Sequence, residues 1–333
     1  MGKQVESEIR RKLLEMFTTG EEEYVSGQKI SDELGCSRTA VWKHIEDLRK
    51  DGYELEAVRR KGYKLIKKPE LVTPDALRLG LDTKKLGQNI CYRETVDSTQ
   101  KVAHRLAQEG CEEGTLVIAE EQVGGRGRLN RAWHSPKTTG IWMSLVLRPQ
   151  IPPHEAPQLT LLSAVAIVQA IEEITDIKVD IKWPNDILIN GKKLVGILTE
   201  MQADADQIHS VIIGMGINVN QQEADFNDEL SSIATSLSIE KGEKISRATL
   251  VQAILKRLEE LYYQYLKAGF APIKILWEAY AITIGRNIIA RTLKGSIEGL
   301  AKGITPEGTL MLEDLEGKMH YIYSADIELS NDK

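Results

Sequence analysis

The stretch Gly124-Gly125-Arg126-Gly127-Arg128-Leu129-Asn130-Arg131-Ala132-Trp133 follows an apolar run at residues 115–120 that predicts a buried strand. Its glycines permit tight turns and let a ligand come close to backbone N–H groups. Its three arginines carry planar forks of donors that suit phosphate and carboxylate groups. A solvated basic loop is the ordinary interpretation. Trp133 at the end of the stretch and Gln122 before it instead favour a loop that closes over an anionic ligand.

The composition is typical of a soluble globular protein, with 42% hydrophobic and 28% charged residues. A chain of 333 residues is expected to form about two or three domains. The apolar stretch at 159–171 contains polar residues and is predicted to be too short to span a bilayer, and no signal peptide is indicated. The three cysteines are widely spaced, which argues against a disulfide framework or a Cys-x-x-Cys metal site and predicts a cytoplasmic protein.

The net charge of −6 is unevenly distributed along the chain. Residues 1–68 carry +2 and the remainder carries −8, and residues 59–68 contain six basic side chains and no acidic one. The overall charge argues against nonspecific binding to nucleic acid, whereas the local basic patch is compatible with specific binding by a small module.

The first 68 residues carry the pattern of a winged helix-turn-helix domain. Three helices are predicted by apolar residues at helical spacing, of which the second covers 28–34, ends at Gly35, and is followed by a third with Ser37 as its N-cap. Two strands at 54–58 and 63–66 then flank a basic turn. Helix, short turn and helix followed by a basic hairpin is the arrangement found in DNA-binding modules.

The predicted domain offers polar and basic side chains to DNA. The candidate DNA-binding residues are Gln28, Ser37, Arg38, Thr39, Trp42, Lys43, Arg59, Arg60 and Lys61. DNA binding is favoured because the basic tip and the helix pattern are independent signals. The alternative is a three-helix packing module that contacts no DNA, and Trp42 also suits a position in the core.

A linker is predicted at Lys67-Lys68-Pro69-Glu70 and Thr73-Pro74, and a strand at 90–96 then leads into a helix that ends near residue 108. Asp97 and Ser98 stand at the start of that helix. Either side chain would serve as its N-cap, and hydroxyl groups at this position would equally suit contact with a polar ligand. The sequence does not decide between these interpretations.

Strands and helices alternate through the rest of the chain. Strands are predicted at 141–147, 179–183, 187–189, 194–200 and 209–213, and helices at 159–174, 247–267 and 273–281. Asn190-Gly191 indicates a hairpin, and Lys193 after it leads into an apolar run, which favours an inward-facing lysine. The glycines of residues 214–218 would let a ligand approach a strand end, although such a pattern is weak on its own. Short alternating strands at 287–329 predict a small β-barrel.

Five ordered motifs make the chain resemble the biotin protein ligases, specifically the bifunctional class that is also the repressor of the biotin operon. The motifs are Asp97-Ser98-Thr99-Gln100, Gly125-Arg126-Gly127-Arg128 with Arg131 and Trp133, Lys182-Trp183-Pro184-Asn185-Asp186, Lys193-Leu194-Val195-Gly196-Ile197, and Gly216-Ile217-Asn218. The resemblance covers nearly the whole chain, and the N-terminal winged helix marks the repressor class. Leu129-Asn130 departs from the family, which often has Arg-Gly at these positions.

The resemblance implies a multidomain α+β fold with three domains. A winged helix-turn-helix DNA-binding domain would occupy residues 1–68, a central mixed α/β ligase domain of the biotin/lipoate ligase type 69–280, and a C-terminal SH3-like β-barrel 281–333. It also implies a two-step reaction, in which biotin and MgATP give biotinyl-5′-AMP and a lysine of an acceptor protein then takes the biotin. Biotinyl-5′-AMP would also act as the corepressor.

The resemblance assigns roles to individual side chains. The implied catalytic residues are Lys193, Arg126, Arg128, Lys182 and Asp186, of which Asp186 would either help to hold Mg²⁺ or deprotonate the acceptor lysine. The implied biotin contacts are Ser98, Thr99, Gln100, Gln122, Gly125, Arg126, Gly127, Arg128, Lys193 and Gly196. The implied nucleotide contacts are Arg128, Arg131, Trp133, Asn185 and Asn218.

The implied partners are the acceptor domain of a biotin-dependent carboxylase, operator DNA and a second copy of the chain, with no membrane. The hairpin at 187–200 is the candidate sheet edge for a homodimer, because it is apolar and contains Lys193. Two alternatives remain at this stage. One is a ligand-sensing transcription regulator without catalysis, and the other is a lipoate ligase, which the motif Lys182-Trp183-Pro184-Asn185-Asp186 disfavours.

Overall fold

The computed structural model describes residues 2–19, 24–50, 52–67 and 70–329. Residues 68 and 69 of the predicted linker lie outside the described residues. The chain forms two compact units, Met1–Gly80 and Leu81–Lys333, each with its own hydrophobic core. The first unit includes residues 70–80, so Glu70 and Thr73-Pro74 of the predicted linker lie within it.

The first unit is a winged helix-turn-helix, as the sequence predicts. Its elements are α1 (Gly2–Thr19), α2 (Gly27–Leu34), α3 (Arg38–Lys50), β1 (Glu54–Val58), β2 (Gly62–Lys67) and α4 (Pro74–Arg78). Gly35 ends α2 in the left-handed conformation, with φ of 61°, which glycine adopts without strain. The Ala40 N–H donates to Ser37 Oγ over 3.2 Å, which confirms Ser37 as the predicted N-cap. β1 and β2 form the antiparallel wing.

The last helix of this unit packs on the first. Arg10 Nε lies 2.5 Å from Asp75 Oδ2, and Leu79 packs against the apolar cluster that contains Leu13, Val41 and Ile45. Thr73 caps α4 and Pro74 occupies its first turn, where a missing N–H has no effect on helical pairing. The prediction that Thr73-Pro74 belongs to a linker is therefore wrong, because these two residues begin a helix of the winged unit.

The second unit is built on one twisted sheet with helices packed against it. Its first elements are β3 (Ile90–Val96), α5 (Thr99–Gln108), β4 (Leu116–Gln122), β5 (Gly140–Leu147), α6 (Ala156–Thr175), β6 (Asp180–Lys182), β7 (Asp186–Ile189), β8 (Lys192–Ala203), β9 (Ile208–Asn218), α7 (Asp228–Ser231), α8 (Leu237–Lys241), α9 (Arg247–Ala268) and α10 (Ala271–Tyr280). The strand order is β3-β4-β5-β9-β8-β7-β6. Only β3 and β4 run parallel, so the sheet is mixed, as predicted.

The central helix α6 runs from Ala156 to Thr175 and is therefore longer than the predicted helix at 159–174. The segment Pro153–Thr175 has the length and composition of a membrane span, but 72% of its apolar window is buried inside the protein. Leu159, Leu162 and Val165 are fully buried, so the helix supplies the core of this unit. The expectation that this stretch is too short to span a bilayer is wrong, because the helix is long enough. Its burial places it in the core of the protein.

The hairpin at 187–200 does not form an edge of the sheet, so that expectation is wrong. β6 folds back on β7, and β7 pairs with β8, which leaves β3 and β6 as the edge strands. The pairing of β7 with β8 ends at the register Asp186 to Gly196. Residues 197–203 of β8 therefore have β9 as their one strand neighbour in the described part of the chain. A three-residue strand such as β6 leaves too little pattern to be recognised as an edge in advance.

The C-terminal residues form a separate five-stranded antiparallel sheet. Its strands are β10 (Asn287–Thr292), β11 (Gly295–Ile304), β12 (Leu310–Asp314), β13 (Met319–Ile322) and β14 (Asp326–Leu329), in the order β13-β12-β11-β10-β14. Within the described residues β13 and β14 do not pair, so the sheet is open and a closed SH3-like barrel stays a prediction.

Candidate active site

A cavity of about 720 Å³ lies between the central sheet and the C-terminal sheet. It collects predicted site residues from five separate stretches of the chain. Those that line it are Ser98, Thr99, Gln100, Gln122, Arg126, Gly127, Arg128, Arg131, Trp133, Lys182, Asn185, Asp186, Lys193 and Gly196. Predicted site residues up to 98 positions apart in the sequence therefore line the same cavity.

Two predicted residues do not line this cavity. Gly125 supports the loop itself, because its carbonyl accepts the Trp133 N–H over 2.9 Å and a Cβ there would lie 2.6 Å from the Trp133 carbonyl oxygen. Asn218 is buried, and its Oδ1 accepts from Gln221 Nε2 over 3.0 Å. The structure therefore brings Gly125 to the base of the loop and places the Asn218 amide in an internal hydrogen bond.

The arginine-rich loop is a tight hairpin of its own. Arg126 bridges to Ala132, and the Gly127 N–H donates to the Arg131 carbonyl over 2.8 Å. At its tip Leu129 and Asn130 both have positive φ, 55° and 56°. Asparagine tolerates this left-handed region, whereas leucine is strained in it. The tip thus has a geometry that suits glycine or asparagine, and Asn130 fits it better than Leu129 does.

Three cations of the cavity already have a carboxylate partner. Lys193 Nζ lies 2.7 Å from Asp186 Oδ1, and it also lies 5.4 Å from the centroid of the Trp133 ring, a cation–π contact. Arg126 pairs with Glu200 at 3.2 Å, and Arg131 pairs with Asp326. An anionic ligand would compete with these carboxylates for cations that are already positioned.

Arg128 connects the loop to both sheets. Its guanidinium donates to Asn185 Oδ1 over 2.9 Å and to Ser324 Oγ over 2.7 Å. Burial lowers the pKa of the Arg128 guanidinium, and the carboxylates of Asp326 and Asp186 oppose this by favouring its charged form. A guanidinium stays protonated at neutral pH even when it is buried, so Arg128 offers the cavity a fixed positive charge.

Glycines inside the strands make room for two large side chains. A Cβ on Gly216 would lie 2.5 Å from Trp133 Nε1, and one on Gly196 would lie 2.8 Å from the Trp133 ring. A Cβ on Gly214 would lie 2.6 Å from Gln100 Oε1. β9 continues to Asn218, so Gly214 and Gly216 lie within the strand. The prediction that the strand ends before them, at residue 213, is wrong. These glycines make room for the Trp133 indole and the Gln100 amide.

The other end of the cavity is a floor of neutral polar groups. Ser98 stands at the N-cap position of α5, yet its side chain makes no capping hydrogen bond although it is almost fully buried. Gln122 Oε1 accepts from the Thr99 N–H over 2.8 Å, and Gln122 Nε2 donates to Ser135 Oγ over 3.0 Å. The Ser98 side chain therefore does not cap the helix, and its contact with a ligand stays a prediction.

Sequence reasoning missed several residues of the site. They are Ser135 and Ser144 beside the floor, Glu200 opposite Arg126, and Arg291, Ser324 and Asp326 from the C-terminal sheet. Ser144 was recognisable in principle, because it is the one polar side chain in the apolar strand β5. Glu200, Arg291 and Asp326 lie on half-buried or exposed strand positions, and Ser135 and Ser324 lie outside the strands, so none of them carries a signal of its own.

The described residues contain no cluster of three or more histidine, cysteine, aspartate or glutamate side chains arranged for a metal ion. Asp186 is therefore the candidate carboxylate for a magnesium ion carried by a nucleotide, and it would have to share its oxygens with Lys193 at 2.7 Å. The donor set fits a metal that arrives with its phosphates and keeps most of its water.

A second cavity, of about 890 Å³, lies between α6, α9, α10 and the C-terminal sheet. Lys274 is the one lysine or arginine among the described residues that line it, and its Nζ is paired with Glu278 Oε1 at 3.0 Å. A cavity with a single, already paired cation does not suit phosphate chemistry. The cavity beside the arginine-rich loop is therefore the candidate active site.

The winged unit exposes the residues that were predicted to meet DNA. The side chains of Gln28, Ser37, Arg38, Thr39, Trp42, Lys43, Arg59, Arg60 and Lys61 are all solvent-exposed. Trp42 is 56% exposed on α3, so the alternative that places it in the core is wrong. Lys61 and Lys64 lie 5.5 and 5.6 Å from the centroid of the Tyr24 ring, which holds the basic wing against the preceding segment.

Comparison with known proteins gives three family matches along the chain. The HTH domain model matches residues 9–64, the biotin/lipoate A/B protein ligase family model matches 92–218, and the biotin protein ligase C terminal domain model matches 283–330. These matches follow the order of the winged unit, the central sheet and the C-terminal sheet.

Similar whole proteins and solved structures agree with these matches. The bifunctional ligase/repressor BirA of Bacillus subtilis is 61% identical over 97% of this chain and 99% of its own length. The protein of the same name from Escherichia coli is 29% identical over 91% of each chain. The structure of biotin protein ligase from Aquifex aeolicus in complex with biotin and ATP is 31% identical, covers 74% of this chain and 100% of its own, and has a TM-score of 0.63.

Proposed function

Because this chain belongs to the biotin protein ligase family, in the bifunctional class with an N-terminal DNA-binding domain, we propose that it activates biotin with ATP, transfers it to an acceptor lysine, and represses transcription. In the first step a biotin carboxylate oxygen attacks the α-phosphorus, and the bond to pyrophosphate breaks. In the second the acceptor amine attacks the acyl carbon of biotinyl-5′-AMP, loses a proton and releases AMP. One observation carries this proposal, namely a neutral polar floor and a cluster of fixed cations in one cavity.

The cations suit the first step because both reacting groups are anionic. Lys193 lies on the cavity wall beside Arg126 and Arg128. Preorganised positive charge screens the repulsion between carboxylate and α-phosphate and stabilises the additional charge of the transition state. Lys193 would bridge these oxygens, with the two loop arginines closing over them. Lys182 and Asp186 line the same wall and would act on phosphate, Mg²⁺ or the acceptor amine.

The floor suits the head group of biotin, a neutral cyclic urea with two N–H donors and one carbonyl acceptor. Ser98, Thr99, Gln100 and Gln122 supply hydroxyl and amide groups at that end. Gly127 and Gly196 line the cavity, where Gly196 makes room for the Trp133 ring, and Gly125 would act by holding the base of the loop. Lipoate, the substrate of the enzyme alternative, has no such urea, so this floor favours biotin.

The nucleotide would lie toward the C-terminal sheet. Arg128, Arg131, Trp133 and Asn185 line that part of the cavity and would contact the phosphate, sugar and base. Asn218 would act from beneath this region after exchanging its bond to Gln221. Because a mixed anhydride hydrolyses in water, the arginine-rich loop would have to cover the adenylate until the acceptor arrives.

Incubation with biotin and ATP labelled at the α-phosphate tests this proposal. A labelled biotinyl-adenylate should form only when biotin is present, and adding a biotin carboxyl carrier domain should convert it to biotinylated protein and labelled AMP. Lipoate in place of biotin is the matched control. A protein that binds biotin and operator DNA but forms no adenylate would instead be a ligand-sensing regulator without catalysis.

The boundaries proposed for the three domains, 1–68, 69–280 and 281–333, lead to a prediction about modularity. Deleting residues 1–80, the whole first compact unit, should abolish operator binding, because every proposed DNA contact lies within it. Ligation should persist, since every side chain of the candidate active site comes from residue 98 or later. Mobility-shift and biotin-transfer assays on the same preparation check both halves. A folded truncation without ligase activity would show that the winged unit contributes to catalysis.

We expect the repressing form to be a homodimer, because a helix-turn-helix gains affinity when two half-sites bind together. The side of β8 opposite β9 at residues 198–203 replaces the whole hairpin as the candidate edge, since Lys193 and Val195 pair with β7 and Ile197 is hydrogen-bonded to Asn185. Adenylate that orders the loops near this edge would lower the entropy lost on dimerisation, and linkage requires dimerisation to tighten adenylate binding by the same factor. Sedimentation with and without biotinyl-5′-AMP measures the effect, and an equal monomer–dimer constant would contradict it.

The partners follow from the two activities. They are the biotin acceptor domain of a carboxylase, operator DNA and a second copy of this chain, and all three would meet the protein in the cytoplasm. The three cysteines are free, in agreement with a reducing compartment. Consumption of the adenylate by acceptor protein would remove the corepressor, so operator occupancy would report the supply of biotin.

A further inference from the structure

Ser144 lies in β5 at the floor of the active-site cavity, is fully buried, and has no role in the reaction described above. Its Oγ lies 2.9 Å from Thr99 Oγ1 and 2.9 Å from Gln100 Oε1. Thr99 Oγ1 in turn lies 3.0 Å from Gln122 Oε1. Four side-chain oxygens therefore stand in a row, in the order Gln122, Thr99, Ser144, Gln100, with three gaps of hydrogen-bonding length.

The two amides at the ends of this row cannot turn round. Gln100 Nε2 donates to the carbonyls of Leu198 and Ile212 over 3.3 and 3.2 Å. Gln122 Oε1 accepts from the Thr99 backbone N–H over 2.8 Å, so a flipped amide would set two donors against each other. Both amides therefore present oxygen to the row, and amide oxygen only accepts.

The row consequently has three gaps and only two protons, those of the Thr99 and Ser144 hydroxyls. If Ser144 donates to Thr99, the buried Gln100 Oε1 is left without a donor. If Thr99 donates to Gln122 while Ser144 donates to Gln100, the Ser144 oxygen receives nothing. With the order Thr99 to Ser144 to Gln100, the Ser144 oxygen and both amide oxygens receive a proton, because Gln122 Oε1 already has the Thr99 N–H, and Thr99 Oγ1 is the one oxygen left open. Buried acceptors without a donor are unfavourable, so this last order prevails.

We infer that Ser144 is a positioning residue that sets ligand specificity, because its oxygen accepts the Thr99 hydroxyl proton and thereby turns that proton away from Gln122 Oε1. Two acceptor oxygens, Thr99 Oγ1 and Gln122 Oε1, then stand 3.0 Å apart with no proton between them. Both residues line the cavity, so a ligand N–H directed at this pair satisfies both oxygens at once. Ser144 thereby makes the floor selective for a ring N–H donor such as that of a cyclic urea.

This inference rests on the proposed function, because it takes biotin as the ligand. Without the Ser144 hydroxyl, Thr99 would donate to Gln122 and close the pair internally. A ligand N–H would then have to break that bond before it could bind. The change acts on the N–H preference of the floor and leaves the cations of the cavity in place, so affinity for ATP should not change.

The test compares dissociation constants from calorimetry for biotin and for its two isomers methylated at one ureido nitrogen. In the wild type, methylation of the nitrogen that faces Thr99 should weaken binding strongly. In Ser144→Ala that discrimination ratio should fall about tenfold, the value of one hydrogen bond at the upper end of its usual range. Ser144→Cys keeps the side-chain volume with a poor acceptor, should show the same fall, and serves if the alanine variant unfolds.

Ser210→Ala is the matched control, because Ser210 is also a fully buried strand serine that donates to a glutamine oxygen, Gln202 Oε1, over 3.0 Å. It lies outside the residues that line the cavity and should keep the wild-type ratio. An unchanged ratio in both Ser144 variants, or an equal fall in Ser210→Ala, would overturn the inference alone. A wild-type protein that does not bind biotin would overturn the proposed function and this inference with it.

Discussion

Replacing Lys193 with alanine is expected to slow formation of biotinyl-5′-AMP by a factor of about 10²–10³, the usual loss when one preorganised donor to a transition state is removed. The side chain is already fixed, because Asp186 Oδ1 lies 2.7 Å from its Nζ and the centroid of the Trp133 ring lies 5.4 Å away. A cation held in place needs no reorganisation as charge develops between carboxylate and α-phosphate. Biotin-dependent release of pyrophosphate in a single turnover measures the rate.

Lys192→Ala is the control for this prediction. Lys192 is the preceding residue of β8, is exposed, and does not line the cavity; its Nζ donates to the Ser231 carbonyl over 3.4 Å. Its loss removes the same charge from the protein while the reacting centre keeps its cation, so the rate should stay near that of the wild type. If Lys193→Ala forms adenylate at the wild-type rate, or if both variants are slowed alike, Lys193 does not act at the reacting phosphate.

Replacing Arg247 with alanine is expected to destabilise the second unit by about 3–5 kcal/mol, because it leaves a buried carboxylate without its counter-ion. Arg247 NH2 lies 2.8 Å from Glu120 Oε2, and both side chains are 1% exposed. Arg247 NH1 also donates to the Gly140 carbonyl over 3.0 Å. The residue thus ties α9 to β4 and to the start of β5, the two strands on either side of the arginine-rich loop. Urea denaturation measures the loss in free energy of unfolding.

Arg257→Ala provides the comparison on the same helix. Arg257 pairs with Glu173 at 2.7 Å, but both side chains are more than one-third exposed. Water and salt screen such a pair, so its loss should change the free energy of unfolding by no more than about 1 kcal/mol. A double variant, Glu120→Gln with Arg247→Met, removes both buried charges and should recover part of the stability lost in Arg247→Ala. Equal effects of the two single substitutions would contradict the account of the buried pair.

Local features of the sequence predicted the helices and hairpins well. Gly35 and Ser37 end one helix and begin the next through their own backbone and side-chain preferences, and both act as expected. The basic wing between β1 and β2 was likewise recognised from its own residues. These signals depend only on residues within a few positions, so they are independent of how the rest of the chain packs.

The membership of the candidate site was also largely readable, because several motifs carry donors and glycines in unusual density. The contacts that these residues make in the site were less predictable. The glycines of β9 were expected to admit a ligand, whereas Gly214 and Gly216 admit the side chains of Gln100 and Trp133. Gln100 lies more than a hundred residues before these glycines, and no local pattern records which side chain will fill a gap in a strand.

By itself the sequence determined the order of the winged unit, the mixed sheet and the C-terminal strands, along with the cations and polar groups that would meet a ligand. Only the tertiary structure decided that the 187–200 hairpin lies inside the sheet, that Ser324 and Asn185 share Arg128, and that Ser144 completes the row of oxygens at the floor. The physical reason is the same in each case. Strand order, and contacts between residues 44 to 196 positions apart, depend on which surfaces pack together, and the whole core determines that packing at once.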